Sequence, residues 1–269
     1  MALIQASYYS QAINRPTEFS MILPNDIPDP EPGANLSGNP HYTRPTKTLI
    51  LLHGYSGSHR DWLLGCPIQD LALKYNLAVV MPSGENSFYL DRKGSGRSYS
   101  KLVGEELIAY LRRTFHLSAK REDTFIGGYS MGGFGALHTG LMNPQNYSKI
   151  IALSSALIVH QVATMHRDTP PHGIADYDYY ASTFGIPEQV VQSDCNPEIL
   201  IHRLKDANRS IPGIYMACGT EDFLLDNNRE FHAFLKSQNI DHVYEEAPGS
   251  HDWKFWNSCI EPAIRWALA

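Results

Sequence analysis

Residues 124–137 contain a serine that could act as a nucleophile. The segment reads Thr-Phe-Ile-Gly-Gly-Tyr-Ser-Met-Gly-Gly-Phe-Gly-Ala-Leu, and Ser130 is flanked at two residues on either side by Gly128 and Gly132. The short apolar run and the small residues after it predict a strand that turns sharply into a helix, with the serine strained at the apex. A Cβ at either flanking glycine would collide across this turn. The pattern therefore predicts nucleophilic attack by the Ser130 hydroxyl.

Two other interpretations of this segment are weaker. Gly127 and Gly132 have the spacing of a phosphate-binding loop, but Gly133 and Phe134 stand where that loop needs lysine and a hydroxyl residue. An ordinary glycine-rich turn is the structural alternative, and the flanking strand and helix patterns make it less favoured than a nucleophile.

Two later predicted strands end just before a suitable acid and a suitable base. A serine nucleophile needs a base within hydrogen-bond reach and an acid that orients the base, and in sheets of this type the chain order is serine, acid, histidine. Asp222 follows the strand over 212–218, and His251 follows the strand over 241–246. We therefore expect His251 to be the base and Asp222 its orienting acid. The neighbouring Glu221 and Asp226 remain alternatives for the acid.

The negative charge that develops during acyl transfer needs backbone N–H donors. Met131, directly after the nucleophile, is expected to supply one donor. Tyr55, in the loop after the strand over 47–52, is expected to supply the other, because Gly54 lets this loop approach closely. His53 could be a ligand or a base, but its position before a glycine favours a structural role that braces the loop.

Bulky side chains crowd the loops around the predicted nucleophile. Trp62, Phe88 and Trp253 are predicted to line a substrate pocket. No long aliphatic stretch accompanies them, so the pocket is expected to take acetyl to butyryl groups.

A histidine- and aspartate-rich segment could indicate a metal site. Its spacing matches no helix-face or finger pattern, so a solvated surface segment is favoured, and we expect no metal and no cofactor. The residues concerned are His166, Asp168, His172, Asp176 and Asp178.

Strands alternate with helices along most of the chain. This predicts an α/β fold with a doubly wound, mostly parallel sheet in one domain over 1–269. The proline-rich stretch 24–46 is expected to be a surface loop, and 155–209 lacks sheet rhythm and is expected to be a small lid insertion. The predicted strands are 2–9 and 17–23, as an antiparallel edge, then 47–52, 77–81, 123–127, 147–153, 212–218 and 241–246. The predicted helices are 66–75, 102–114, 131–142, 223–238 and 253–267.

The composition limits the function classes. The chain has 269 residues, of which 43% are hydrophobic and 19% charged, with a net charge of −6. That charge argues against nucleic-acid and anionic-membrane partners, and no apolar run has the length of a membrane span. The first ten residues lack a basic segment and an apolar core, so a cytoplasmic protein is expected. Four scattered cysteines fit a reducing compartment.

Together these segments resemble the esterase D-type family of α/β-hydrolases, most closely the bacterial tributyrin and acetyl esterases. S-formylglutathione hydrolases, feruloyl esterases and mycolyl transferases are more distant relatives. The glycine-serine elbow is shared widely, whereas the Gly-x-Glu-Asp-Phe and His-x-Trp segments are more specific. The matching segments are Leu51–Gly57 with Trp62, Gly128–Gly135, Cys218–Leu224 and Gly249–Trp253.

The resemblance implies an α/β-hydrolase fold and a serine carboxylesterase that cleaves a small-molecule ester through an acyl-serine intermediate. It carries over as Ser130 nucleophile, Asp222 acid, His251 base, and Tyr55 and Met131 oxyanion donors. Thioester hydrolysis of the S-formylglutathione type and polysaccharide acetyl or feruloyl esterase activity are the enzymatic alternatives. A catalytically silent binding protein is the non-enzymatic one. The loop 24–46 and the segment 156–185 do not match the family, which leaves substrate choice and homo-oligomer contacts open.

Overall fold

The computed structural model describes residues 1–24, 39–92, 94–168 and 174–269. Within these residues, eight strands form one sheet in the order β1-β2-β4-β3-β7-β8-β9-β10, and the short β5 and β6 pair separately. The strands are β1 (Ala2–Ser10), β2 (Arg15–Leu23), β3 (Lys47–Leu52), β4 (Leu77–Pro82), β5 (Asp91–Arg92), β6 (Arg97–Ser98), β7 (Thr124–Tyr129), β8 (Lys149–Leu153), β9 (Gly213–Gly219) and β10 (His242–Ala247).

The pairing of these strands is mostly parallel. Strand β2 runs antiparallel to both β1 and β4. From β4 across to β10, each neighbouring pair is parallel. This confirms the doubly wound, mostly parallel sheet and its antiparallel amino-terminal edge.

Helices cover both faces of the sheet, and the strands contribute apolar side chains to the core on each face. In β3, Ile50 and Leu52 join the core on one face, and Leu49 and Leu51 join the core on the other. A strand buried on both faces explains why its sequence is continuously aliphatic. The helices are α1 (Asp61–Gly65), α2 (Ile68–Tyr75), α3 (Tyr99–Lys101), α4 (Leu107–Phe115), α5 (Met131–Met142), α6 (Val159–Ala163), α7 (Tyr177–Phe184), α8 (Pro187–Val190), α9 (Pro197–Asp206), α10 (Leu225–Ser237) and α11 (Trp253–Leu268).

Boundaries shift by a few residues from the predictions, and one helix is less regular. The predicted helix over 102–114 is a helical stretch from α3 to α4 that contains a π-helical turn over Leu102–Glu106. Of the predicted loop 24–46, residues 25–38 lie outside the described residues, and Pro40–Thr43 form a 3₁₀ turn.

The segment 155–209 contributes α6 to α9 between β8 and β9. Its α7 packs against α5, because the Phe184 ring lies 4.8 Å from that of Phe88 and 5.7 Å from that of Phe134 in α5. The insertion is therefore anchored by aromatic packing onto the helix that follows Ser130.

Candidate active site

Ser130 lies at the sharp turn between β7 and α5. Its φ of 55° and ψ of −122° lie outside the regions that residues with a side chain normally adopt, a conformation that costs roughly 1–3 kcal/mol. The turn is also too tight for neighbouring side chains, since a Cβ on Gly128 would lie 2.3 Å from the Gly132 carbonyl oxygen. The geometry is that of the sharp elbow expected from the sequence.

The backbone of Ser130 is held, whereas its side chain is not. Its N–H donates to the Leu153 carbonyl at 2.9 Å, and its own carbonyl accepts from the N–H groups of Phe134 and Ala156. The Ser130 side chain is partly exposed and has no hydrogen-bond partner among the described residues. Its hydroxyl is therefore free to turn toward a base when substrate binds, as catalytic hydrogen bonds often tighten only then.

His251 and Asp222 are directly hydrogen-bonded. The His251 Nδ1–H donates to the Asp222 carboxylate, with Nδ1 2.9 Å from Oδ2 and 3.1 Å from Oδ1. The Asp222 side chain is fully buried, and its Oδ1 also accepts from the Leu224 N–H at 2.9 Å. Burial would raise the pKa of Asp222, but the hydrogen bonds from His251 and Leu224 outweigh it and hold that pKa below its ordinary value. Asp222 is thus an ionised acceptor that leaves Nε2 of His251 to act as a base.

Ser154 is a member of this site that the sequence did not indicate. The Trp256 indole N–H donates to the Ser154 hydroxyl at 3.1 Å, and the nearby Ser154 hydroxyl helps to hold the pKa of Asp222 below its ordinary value. Ser154 has a φ of 44° directly after β8. A single serine after a strand carries no sequence signal, so only the folded structure identifies it as a support for the acid.

A series of aromatic ring contacts connects Tyr129, next to the nucleophile, with His251. The Tyr129 ring stacks on the Trp256 ring with centroids 4.2 Å apart, and the Trp256 ring meets the His251 ring edge-on at 5.1 Å. Phe223, 73% exposed, lies over His251 at 4.6 Å. The carboxyl ends of β7, β9 and β10 therefore meet around one site.

The two rival acids point elsewhere. Asp226 has a side chain that is 92% exposed and lies 4.0 Å from the Arg229 guanidinium. Glu221 accepts hydrogen bonds from the Gly249 N–H and from the Thr220 hydroxyl. Glu221 therefore braces the loop that carries His251 but does not contact the imidazole.

The loop over 53–61 is pressed against the elbow. A Cβ on Gly54 would lie 2.5 Å from the Tyr129 ring, and the Tyr129 hydroxyl donates to Asp61 Oδ2 at 2.8 Å. No acceptor within the described residues takes the N–H groups of Tyr55 or Met131. Both predicted oxyanion donors are thus unengaged, and Asp61 is an additional residue that fixes this loop to the elbow.

His53 braces the same loop, as expected. It is 1% exposed; its Nε2 accepts from the Gly84 N–H at 2.8 Å, and its Nδ1–H donates to the Gly54 carbonyl at 2.7 Å. Burial lowers the pKa of His53, so its neutral form is favoured. With both ring nitrogens occupied, His53 is a structural residue.

The predicted pocket residues separate into core and rim. Trp62 and Phe88 are each 1% exposed, so both rings are packed into the core and present almost no surface to a substrate. The Trp62 indole donates to the Leu52 carbonyl at 3.0 Å, and Phe88 packs on Phe134. Trp253 is partly exposed and packs edge-on against Trp62 at 5.3 Å. Position beside a site loop did not reveal which way each ring points.

The described part of the chain contains no cluster of three or more histidine, cysteine or acidic side chains arranged to hold a metal ion. His172, from the histidine- and aspartate-rich segment, lies outside the described residues, and Asp178 is paired with Arg167 at 3.0 Å. Among the described helices, none is long and apolar enough to cross a membrane.

Known proteins match the chain over nearly its whole length. The Esterase family model matches residues 10–267. An acetyl esterase of Caldicellulosiruptor saccharolyticus is 46% identical over 266 residues, which cover 99% of this chain and 98% of that protein. The substrate-bound fluorophosphonate-binding serine hydrolase FphF of Staphylococcus aureus has a TM-score of 0.83 at 27% identity, covering 100% of this chain and 98% of that one. The S-formylglutathione hydrolase FrmB of Staphylococcus aureus has a TM-score of 0.81 at 28% identity, covering 100% and 99%.

Proposed function

This chain belongs to the Esterase family and is a carboxylic ester hydrolase with an α/β-hydrolase fold, and we propose that it transfers acetyl to butyryl groups to water through Ser130. In the first half of the reaction, the Ser130 hydroxyl attacks the ester carbonyl while His251 Nε2 takes its proton. The N–H groups of Tyr55 and Met131 stabilise the oxyanion. His251 then gives the proton to the leaving alcohol.

The second half repeats this sequence with water. His251 takes a proton from a water molecule, which attacks the acyl-Ser130 carbonyl and releases the acid. Throughout, the Asp222 carboxylate stabilises the imidazolium and fixes its tautomer. The observation that carries the proposal is the hydrogen-bonded pair of His251 and the fully buried Asp222, at the same edge of the sheet as the strained Ser130.

The pH dependence of kcat/KM is expected to show one acidic limb. His251 must be neutral to accept a proton, so activity should fall as the pH drops through about 8 to 5, where histidine side chains gain charge. Because the pKa of Asp222 lies below its ordinary value, that carboxylate stays ionised over the same range and adds no limb of its own. The measurement is kcat/KM on a neutral acetyl ester across this range.

Unfolding has to be separated from protonation in that experiment. The control is the free energy of unfolding at each pH, together with recovery of activity after return to neutral pH. A profile that is flat from about pH 5 to 8 in a folded protein would contradict a histidine base.

The preferred acyl chain is expected to be short. The acetyl esterase relative is 46% identical, and the core behind the elbow is filled by packed rings, including Phe88 with Phe134 at 5.6 Å. A methylene that fits a pocket gains about 0.8 kcal/mol, whereas one that must displace a packed core costs about 1–3 kcal/mol. Rates should therefore rise only to butyryl and then fall steeply, by at least about tenfold at eight carbons.

Specificity constants over a p-nitrophenyl ester series from two to twelve carbons test this range. The same acetyl group on a matched oxygen and sulfur leaving group separates ester from thioester preference, since a similar structure is an S-formylglutathione hydrolase. A maximum at eight carbons or beyond would mean that an open groove receives the acyl chain, and the short-chain proposal would be wrong.

A further inference from the structure

A cavity of about 290 Å³, lined mostly by residues with polar side chains, lies beside the oxyanion loop. Its walls come from the loop after β4, the β5–β6 hairpin and α7. Two contacts join it to the catalytic region: Asn86 Oδ1 accepts from the Ser56 N–H at 2.7 Å, and the Tyr179 ring packs edge-on against the Tyr55 ring at 5.6 Å. The cavity therefore shares a wall with the loop that carries a predicted oxyanion donor.

The side chains around this cavity leave positive charge uncompensated. Arg92 and Arg97 both line it, and within the described residues neither guanidinium is paired with a carboxylate or held by a side-chain hydrogen bond. Among the described lining residues, the one acidic side chain is that of Glu85, which forms an ion pair with Arg15. Arg15 in turn donates to the Tyr99 hydroxyl at 2.8 Å. The charge of Glu85 is thus already neutralised, whereas those of the two lining arginines are not.

The remaining lining groups are suited to a small anion. Guanidinium groups present a planar fork of donors that fits a carboxylate or a phosphate. Asn86, Ser182 and Thr183 line the same space, and the Ser182 hydroxyl already donates to the Tyr179 carbonyl at 2.7 Å. A cavity of this volume is at the small end of ligand pockets. It can take an anionic group on a short linker.

The charged group must belong to the alcohol half of the substrate. The acyl groups proposed for this enzyme, acetyl to butyryl, are neutral and too short to carry a charge into a separate cavity. Resting on that proposed function, we infer that the cavity holds a carboxylate or phosphate on the leaving alcohol, so that the preferred substrates are short-chain esters of hydroxy acids or of similar anionic alcohols.

Matched pairs of acetyl esters test this inference. Each pair consists of the acetyl ester of an ω-hydroxy acid and of its neutral amide, with two to six methylene groups between the ester and the charge. At the best length we expect about three- to tenfold higher kcat/KM for the acid than for its amide, and this ratio should shrink as the salt concentration rises. Equal rates at every length would overturn the inference.

Substitutions then locate the effect. Arg92→Gln and Arg97→Gln should each lower the acid-to-amide ratio, and the double variant should bring it to about one, because turnover of the acid falls much more than turnover of the amide. Arg113→Gln is the matched control. This exposed arginine lies on α4 over the Tyr110 ring, so its substitution removes the same charge at a position away from the cavity. A ratio that survives in the double variant, or that falls equally in the control, would contradict the cavity as the site.

The neutral amides keep this test independent of the proposed function. If the neutral amides are not turned over, the esterase proposal fails. If they are turned over as fast as the corresponding acids, only the inference about the cavity fails. Inorganic phosphate provides the remaining arm: it should compete with the charged esters and leave the neutral ones unaffected. If phosphate instead changes turnover of the neutral esters, the cavity is an effector site and the substrate assignment is wrong.

Discussion

Replacing Ser130 with alanine is expected to lower kcat by about six orders of magnitude, as loss of a serine nucleophile does in enzymes of this chemistry. The substitution removes only the Oγ, which has no hydrogen-bond partner among the described residues, so the hydrogen bonds of the folded protein are kept. Fluorophosphonate labelling followed by mass spectrometry should find the probe on Ser130 in the native protein and no labelling of the variant. The rate is measured on a p-nitrophenyl acetate substrate under the same conditions.

A second substitution separates loss of the nucleophile from loss of the fold. Ser130→Gly should be equally inactive, yet more stable than Ser130→Ala by about 1 kcal/mol or more, because glycine adopts a φ of 55° without strain. Chemical denaturation of both variants measures that difference. Labelling of folded Ser130→Ala, or turnover within about a hundredfold of the native rate, would show that another residue is the nucleophile.

The fold was predictable because its signals are local and repeated. The aliphatic run of β3 can only be buried on both faces, and its side chains do alternate between the two cores. The glycines around Ser130 leave few conformations other than a tight turn, which the contact of Gly128 with the Gly132 carbonyl explains. Strand order and the packing of α6 to α9 needed the structure, because they depend on contacts between distant parts of the chain.

The direction of each side chain limited how much of the candidate site could be predicted from the sequence. Position after a strand suggested His251 and Asp222, which lie within hydrogen-bond distance. The same argument placed Trp62 in a pocket, although its ring turns into the core to satisfy the indole N–H on a backbone carbonyl. A buried indole needs such an acceptor, and the acceptor, Leu52, can be identified only once the chain has folded.

The carboxylates near His251 illustrate the same limit at closer range. Glu221, Asp222 and Asp226 are almost adjacent in sequence, and each could orient an imidazole. In the folded chain, Asp222 is buried against His251, Glu221 binds the Gly249 N–H, and Asp226 is in solvent beside Arg229. Three similar side chains therefore have three different expected effects on catalysis.

Asp222→Asn is expected to lower kcat by about 10⁴-fold while leaving the protein folded. An asparagine retains the shape of the side chain and can still accept from the Leu224 N–H, but it loses the negative charge that stabilises the imidazolium. Its amide can also donate to His251 Nδ1, which favours the tautomer whose Nε2 carries the proton and cannot act as a base. Fluorophosphonate labelling should slow in parallel with ester hydrolysis, since both require the same base.

The neighbouring acids provide matched controls for that result. Asp226→Asn should leave kcat unchanged, because its side chain is 92% exposed and interacts only with the surface residue Arg229 among the described residues. Glu221→Gln should cost at most about tenfold, since a glutamine oxygen can still accept from the Gly249 N–H that holds the His251 loop. The three variants are compared by kcat on one acetyl ester and by free energy of unfolding. A larger loss at Glu221 or Asp226 than at Asp222, in folded proteins, would reassign the orienting acid.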